Sequence, residues 1–248
     1  MKTNNHLKLS ISVFFFLIFA WSFSSELADT ARSKLNAGCN VSINSNGIAS
    51  IPAFSLGKPA VIASVNLSKG RFSFDPVLAY GLNMKPWFID AWLHLMVVDK
   101  PAFKLRTGFN FSNFFSEYKL PDKDILQSER YWAVEVAGFY YFTPSANVSL
   151  MYWRDMGQEP GTLKGHYISL AGEKNEIKVS ARVFVSASLQ VFYIDYNGDN
   201  DGLFVTPKIS LSPYDFPVSI FFQAIQAINS NITPFPGFRW NAGLSYTF

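Results

Sequence analysis

Apolar and polar residues alternate along most of this chain with a period of two. In the last twelve residues, 237 to 248, Phe238, Trp240, Ala242, Leu244, Tyr246 and Phe248 fall on one face of an extended strand. Gly237, Arg239, Asn241, Gly243, Ser245 and Thr247 fall on the other. Strand side chains point alternately to opposite faces, so this segment has one apolar, partly aromatic face and one small or polar face. The pattern recurs upstream. Val61, Ala63, Val65 and Leu67 oppose Ile62, Ser64, Asn66 and Ser68, and Phe72, Phe74, Pro76, Leu78 and Tyr80 oppose Arg71, Ser73, Asp75, Val77 and Ala79. Trp87, Ile89, Ala91, Leu93, Leu95 and Val97 oppose Phe88, Asp90, Trp92, His94 and Met96. Phe103, Leu105, Thr107, Phe109 and Phe111 oppose Lys104, Arg106, Gly108, Asn110 and Ser112. Trp132, Val134, Val136, Gly138, Tyr140 and Phe142 oppose Tyr131, Ala133, Glu135, Ala137, Phe139 and Tyr141.

Further strands follow over 147 to 154, from His166 onward, over 183 to 196, over 203 to 211 and over 216 to 228. Glu173, Lys174, Glu176 and Lys178 put charge on both faces. A lysine facing lipid at mid-membrane costs about 2 to 4 kcal/mol, so this part belongs outside a membrane or at its edge. The turn is placed near Ser180 to Arg182, with Glu173 to Asn175 as the alternative. Gly47 to Phe54, interrupted by Pro52, is the weakest strand. The total is twelve strands, or eleven without that first one.

Strands of this kind suit an all-β fold, a transmembrane antiparallel up-and-down β-barrel whose apolar faces meet lipid and whose polar faces line a lumen. A soluble lipocalin-like barrel would turn the apolar faces inward, which the aromatic-rich faces and the terminal Phe248 argue against. Long connections sort to one end, at Ser55 to Lys58, Gly81 to Pro86, Phe115 to Gln127, Asp155 to Thr162, Asn197 to Asp201 and Asn229 to Pro236. Short turns near residues 69, 100, 144, 181 and 214 sort to the other. Both termini are expected on the periplasmic side.

The terminal motif with Trp240, Leu244, Tyr246 and Phe248 resembles that of outer-membrane β-barrel proteins of Gram-negative bacteria. The resemblance implies that these four residues form an insertion signal read by the barrel-assembly machinery, with outer-membrane lipids around the barrel. With Ile51-Pro-Ala-Phe-Ser-Leu-Gly-Lys-Pro and Lys85-Pro-Trp, the chain also looks like a group of uncharacterised barrels from Bacteroidota. That group brings no activity with it.

The N-terminus changes the picture by adding export. Lys2 and Lys8 precede an apolar run from Leu9 to Phe23, followed by Ser24, Ser25, Ala28 and Ala31. This reads as a signal peptide over residues 1–28, cleaved between 24 and 32, and the run falls short of the about 20 residues that a membrane helix needs. Residues 29–46 are expected as a periplasmic segment and 47–248 as the barrel. Cys39, the single cysteine, excludes an intramolecular disulfide and lies too far past the apolar run for a lipidation signal. Twenty-one basic against 18 acidic residues give no field for nucleic acid.

The lumen-facing charges are Asp75, Asp90, Lys104, Arg106, Glu135, Lys208 and Arg239, with His94 among them. They form either a structural network of ion pairs or the wall of a solute path. His94 also invites a Ser/His hydrolase reading, but no motif selects a serine, and no catalytic residue is assigned. Asn197-Gly-Asp-Asn-Asp-Gly202 spaces oxygen ligands as calcium loops do, yet a tight hairpin turn explains it better. No cofactor or metal is expected. Inward Trp92, Phe139, Tyr141, Phe184 and Phe192 could fill the lumen. The leading reading is a channel or transporter for a small solute. Alternatives are a closed barrel acting through its loops as an anchor or interaction protein, and a lipid-modifying enzyme.

Overall fold

The computed structural model describes residues 34–232 and 237–248. The expected signal peptide and its cleavage site lie outside the described residues. Twelve strands run in chain order: β1 Leu35–Asn44, β2 Ala60–Lys69, β3 Phe72–Gly81, β4 Pro86–Asp99, β5 Phe103–Lys119, β6 Asp124–Thr143, β7 Ala146–Gly157, β8 Lys164–Lys178, β9 Val183–Tyr196, β10 Asn200–Pro213, β11 Val218–Ser230 and β12 Phe238–Thr247. Each pairs antiparallel with its neighbours, and β1 closes the barrel on β12 through Val41 opposite Tyr246 and Ile43 opposite Leu244. Closure leaves no sheet edge, which a barrel in lipid requires because hydrocarbon offers no partner for backbone N–H and C=O groups.

The alternation decides which way each residue points. Leu93, Val136, Leu150, Leu170 and Ile220 are more than half exposed on the outside. On β6 the outward Val134 and Val136 are flanked by Trp132 towards one end and by Tyr140 and Phe142 towards the other. An aliphatic belt between aromatic girdles is the surface a bilayer selects.

Several expectations need correction. The barrel begins at Leu35, inside the expected periplasmic segment 29–46. Leu35, Ala37, Cys39, Val41 and Ile43 alternate with small and polar residues, a weak signal that becomes a strand through pairing with β2 and β12. The expected first strand, Gly47 to Phe54, is instead part of the 45–59 connection, with a 3-10 turn at Pro52–Phe54. Proline has no N–H to give a ladder, and its fixed φ suits the first position of such a turn.

The expected loop Phe115 to Gln127 is a hairpin with its turn at 120–123. Charge on both faces excludes lipid, but it suits a strand pair in water. β5 and β6, with 17 and 20 residues, therefore extend well past the 9 to 11 residues that cross a membrane. Trp87, expected outside, is 2% exposed and points inward, because a bulge in the pairing of β3 with β4 shifts the face.

The turn before β9 falls at 179–182, as first placed. At 197–199 the chain makes the tight hairpin. Asn197 and Gly198 both have positive φ, as the central pair of a primed turn needs, and the Asp199 N–H donates to the Tyr196 carbonyl at 3.2 Å.

At the end opposite the termini, the 158–163 connection is pinned by Glu159, which accepts the Arg130 backbone N–H at 2.8 Å and its Nε at 2.6 Å. These bonds, the backbone one first, hold the Glu159 carboxyl below its ordinary value of 4.5. A depressed carboxylate stabilises the folded form above its unfolded value and loses that contribution as pH falls through the folded value. The protection factor of the Arg130 amide, its exchange corrected for the intrinsic pH dependence, should therefore be constant above about 4.5, and should fall as pH drops further. Glu159→Gln should abolish that pH dependence; a mutant that keeps it would refute the assignment.

Candidate functional site

Four of the charged residues meet at one level of the lumen, on four consecutive strands. The register places Ser73 opposite His94, His94 opposite Gly108, and Gly108 opposite Glu135. Asp75 on β3, His94 on β4, Arg106 on β5 and Glu135 on β6 thus project inward as neighbours. His94 Nδ1 lies 2.6 Å from Asp75 Oδ2, and the same carboxylate accepts Ser73 Oγ at 2.8 Å and the Asn66 amide. Arg106 reaches Glu135 Oε1 through Nε at 2.9 Å and through a terminal nitrogen at 2.8 Å. His94 Nε2 stands 3.6 Å from the same oxygen.

Gly108 makes this possible: a Cβ there would lie 2.6 Å from His94 Cδ2. His94 and Glu135 are buried, while Asp75 and Arg106 keep about a quarter of their side chains in contact with water. Carboxylates alternate with cationic or protonatable groups, so the cluster is an ion-pair network at the wall. His94 Nδ1 faces the Asp75 carboxylate as the histidine of a triad would, but Nε2, the nitrogen that would activate a nucleophile, has no hydrogen-bond partner among the described residues, and Ser73 bonds the carboxylate rather than the ring. The arrangement is not that of a hydrolytic triad.

The remaining predicted charges separate. Lys104 pairs with Asp99 at 3.1 Å near the termini end and lies 5.8 Å from the Tyr141 ring centre. Lys208, exposed within the lumen, lies 5.2 Å from the Phe221 ring. Asp90 takes the Asn110 amide. Arg239, at the loop end, donates to the Ser55 carbonyl at 3.4 Å.

That last contact belongs to the feature that dominates the lumen. The 45–59 connection turns into the barrel mouth instead of away from it. Its start is sewn to β12 by Ser45 N–H on the Ala242 carbonyl at 2.8 Å and by the Asn46 amide on the Trp240 carbonyl at 3.0 Å. Its middle is held by Trp87 Nε1, which donates to the Phe54 carbonyl at 2.7 Å. Phe54 stacks on Phe114 at 4.2 Å and meets Tyr131 edge-on at 5.2 Å. Ile51 joins a buried cluster with Tyr167, Phe192, Ile194, Tyr196, Phe204 and Ile225 from the far wall. At the connection's other end, Glu117 gathers Lys85 at 3.0 Å and Lys58 at 3.8 Å.

Below this stopper, Trp92 of β4 and Trp153 of β7 lie with ring centres 5.7 Å apart although three strand spacings separate them along the wall. Trp92 stacks on His94 at 5.3 Å, and Trp153 on Tyr167 at 4.1 Å. Between the stopper and these indoles is a cavity of about 190 Å³, lined by Phe54, Trp92, Trp153, Tyr131, Asp90 and Asp155 among others. Of the inward aromatics named from sequence, Trp92 and Phe192 do fill the lumen. Phe139 instead lies under Arg106 at 5.2 Å, and Phe184 lies beside Tyr214 at 5.0 Å.

Sequence reasoning missed Asp155, reading it as the first residue of a loop. It is an inward residue of β7 and 5% exposed. The signal was present: Ser149, Met151, Trp153 and Asp155 continue one face of the strand.

No protein-family model and no curated protein matches the sequence. Solved structures do resemble it in shape. The KdgM porin in complex with disordered oligogalacturonate superposes with a TM-score of 0.57 at 9% identity, covering 85% of this chain and 99% of the porin. The KdgM porin alone gives 0.55 at 10% identity, with the same coverage. An outer membrane channel from Pseudomonas putida F1 reaches 0.49 at 9% identity, covering 86% of this chain and 95% of its own. At these identities the likeness concerns the fold, which is that of outer-membrane barrels.

Proposed function

We propose that this protein is an outer-membrane channel for small solutes whose passage is held shut at its outer mouth by the 45–59 connection. The observation that carries the reading is the division of the lumen. From the termini end up to His94 the wall is polar and of mixed charge, with Lys208, Arg106, Lys104 and Asp75 in contact with water. Above it, Trp92, Trp153, Phe54 and Ile51 form an apolar barrier of the sort that stops ions by excluding water. A barrel built only as an anchor would have no need of an accessible Lys208, which takes part in no ion pair among the described residues.

The loop end then faces the outside, the termini and short turns face the periplasm, and the last strand with Trp240, Leu244, Tyr246 and Phe248 is the segment that assembly factors read. The KdgM porin was solved in complex with disordered oligogalacturonate. Here both signs line the wall, so the proposed solute is small rather than strongly anionic.

Single-channel recording in planar bilayers tests the proposal. Wild type should insert and stay closed or flicker at low conductance. Replacing residues 48–56 by a short glycine-serine link should raise the open fraction by at least roughly tenfold, because the Ile51 and Phe54 part of the apolar barrier is removed. A folded, inserted variant that still conducts nothing would favour the anchor reading.

A further inference from the structure

The cavity beneath the 45–59 connection has a chemistry that passage alone does not call for. Two carboxylates, Asp90 and Asp155, face it from β4 and β7, and among the described residues no lysine, arginine or histidine lines it. Asp90 is satisfied by Asn110. Asp155 is 5% exposed, and its Oδ1 has no hydrogen-bond partner among the described residues. A carboxylate withdrawn from water and left with an open acceptor is costly, so it gains from any positive group brought to it.

The rest of the wall decides which positive group. Trp92, Trp153, Phe54, Phe114 and Tyr131 supply aromatic rings around the space. Ring faces attract cations that shed water easily, and quaternary or methylated ammonium ions do so far more readily than metal ions. Nor does any group of three or more potential metal ligands occur among the described residues. A volume of about 190 Å³ suits one small organic cation and excludes an oligomeric one.

We propose that this cavity is a binding site for a small organic ammonium ion, with Asp155 as its charge partner and Trp92 and Trp153 as its aromatic floor. The site sits directly under Phe54, so its occupant and the stopper share a wall, and binding would hold the connection in place. The inference stands whether or not the barrel conducts, because occupancy can be read in a closed barrel.

The test titrates the refolded full barrel in detergent micelles with choline, followed by tryptophan fluorescence and calorimetry. Its neutral isostere, with carbon in place of the quaternary nitrogen, is titrated beside it. Saturable choline binding is expected, with the isostere weaker by roughly tenfold or more, as expected for a desolvated cation on rings beside a carboxylate. Asp155→Asn should lose a similar factor while keeping the heat-stable gel migration of a folded barrel. If that variant does not fold, Asp90→Asn and Trp153→Leu take its place, and each should weaken choline more than the isostere. No saturable binding, equal binding of the two probes, or undiminished binding by folded variants would overturn the proposal and leave a hydrated or merely apolar cavity.

Discussion

Replacing Val136 by arginine should lower the stability of the barrel in lipid by about 2 to 4 kcal/mol, the cost of a cationic side chain at the lipid face near the bilayer midplane. Val136 is 52% exposed and lies between Trp132 and Tyr140 on the outer face of β6, so it stands in the aliphatic belt rather than in a girdle. Ser186→Arg is the control. Ser186 pairs with Ser210 in β10, inside the polar half of the lumen, where an added cation keeps contact with water. Reversible urea unfolding in lipid vesicles, followed by tryptophan fluorescence, should show the first substitution costing several times the second. The opposite order would mean that the two faces are reversed and that the chain forms a water-soluble barrel.

Glu135→Ala should be the most damaging change in the lumen. Removing one partner of a buried ion pair costs about 3 to 5 kcal/mol when the other charge is left stranded. Arg106, however, keeps 24% of its side chain in water, so solvent takes over part of the role and about 2 kcal/mol is expected. His94 also loses a carboxylate 3.6 Å from Nε2. In a double-mutant cycle, Arg106→Ala should cost less in the Glu135→Ala background than in wild type, because the coupling has already gone. A Glu135→Ala barrel within about 0.5 kcal/mol of wild type would show that the four-strand network is not what orders this wall.

The comparison of Val136 with Glu135 also shows what could be read in advance. Neighbours on one strand, they point to opposite faces, and that much follows from the period of two. The same rule placed Asp75, His94, Arg106 and Lys208 inside and Phe109, Leu150 and Leu244 outside. It failed at Trp87, where a bulge adds a residue and reverses the face, and at Gly47 to Phe54, where Pro52 stopped the segment from pairing at all. It also hid β1, whose small and polar residues carry little contrast between faces until β2 and β12 pair with them.

By itself the sequence determined an antiparallel barrel of about twelve strands, with the first of them misplaced, the facing of most of its residues, and the sorting of short turns to the end that carries the termini. These are local properties: each follows from a strand's own alternation and the turn residues beside it. Only the tertiary structure decided which lumen charges meet, because that depends on inter-strand register, and register comes from pairing. His94 meets Glu135 across Gly108 for this reason. Closure likewise brought Trp92 to within 5.7 Å of Trp153 and turned Asp155 from an apparent loop residue into the wall of a cavity. The inward course of the 45–59 connection was decided by partners far away in sequence, Ala242, Trp240 and Arg239, which only the closed barrel places at its mouth.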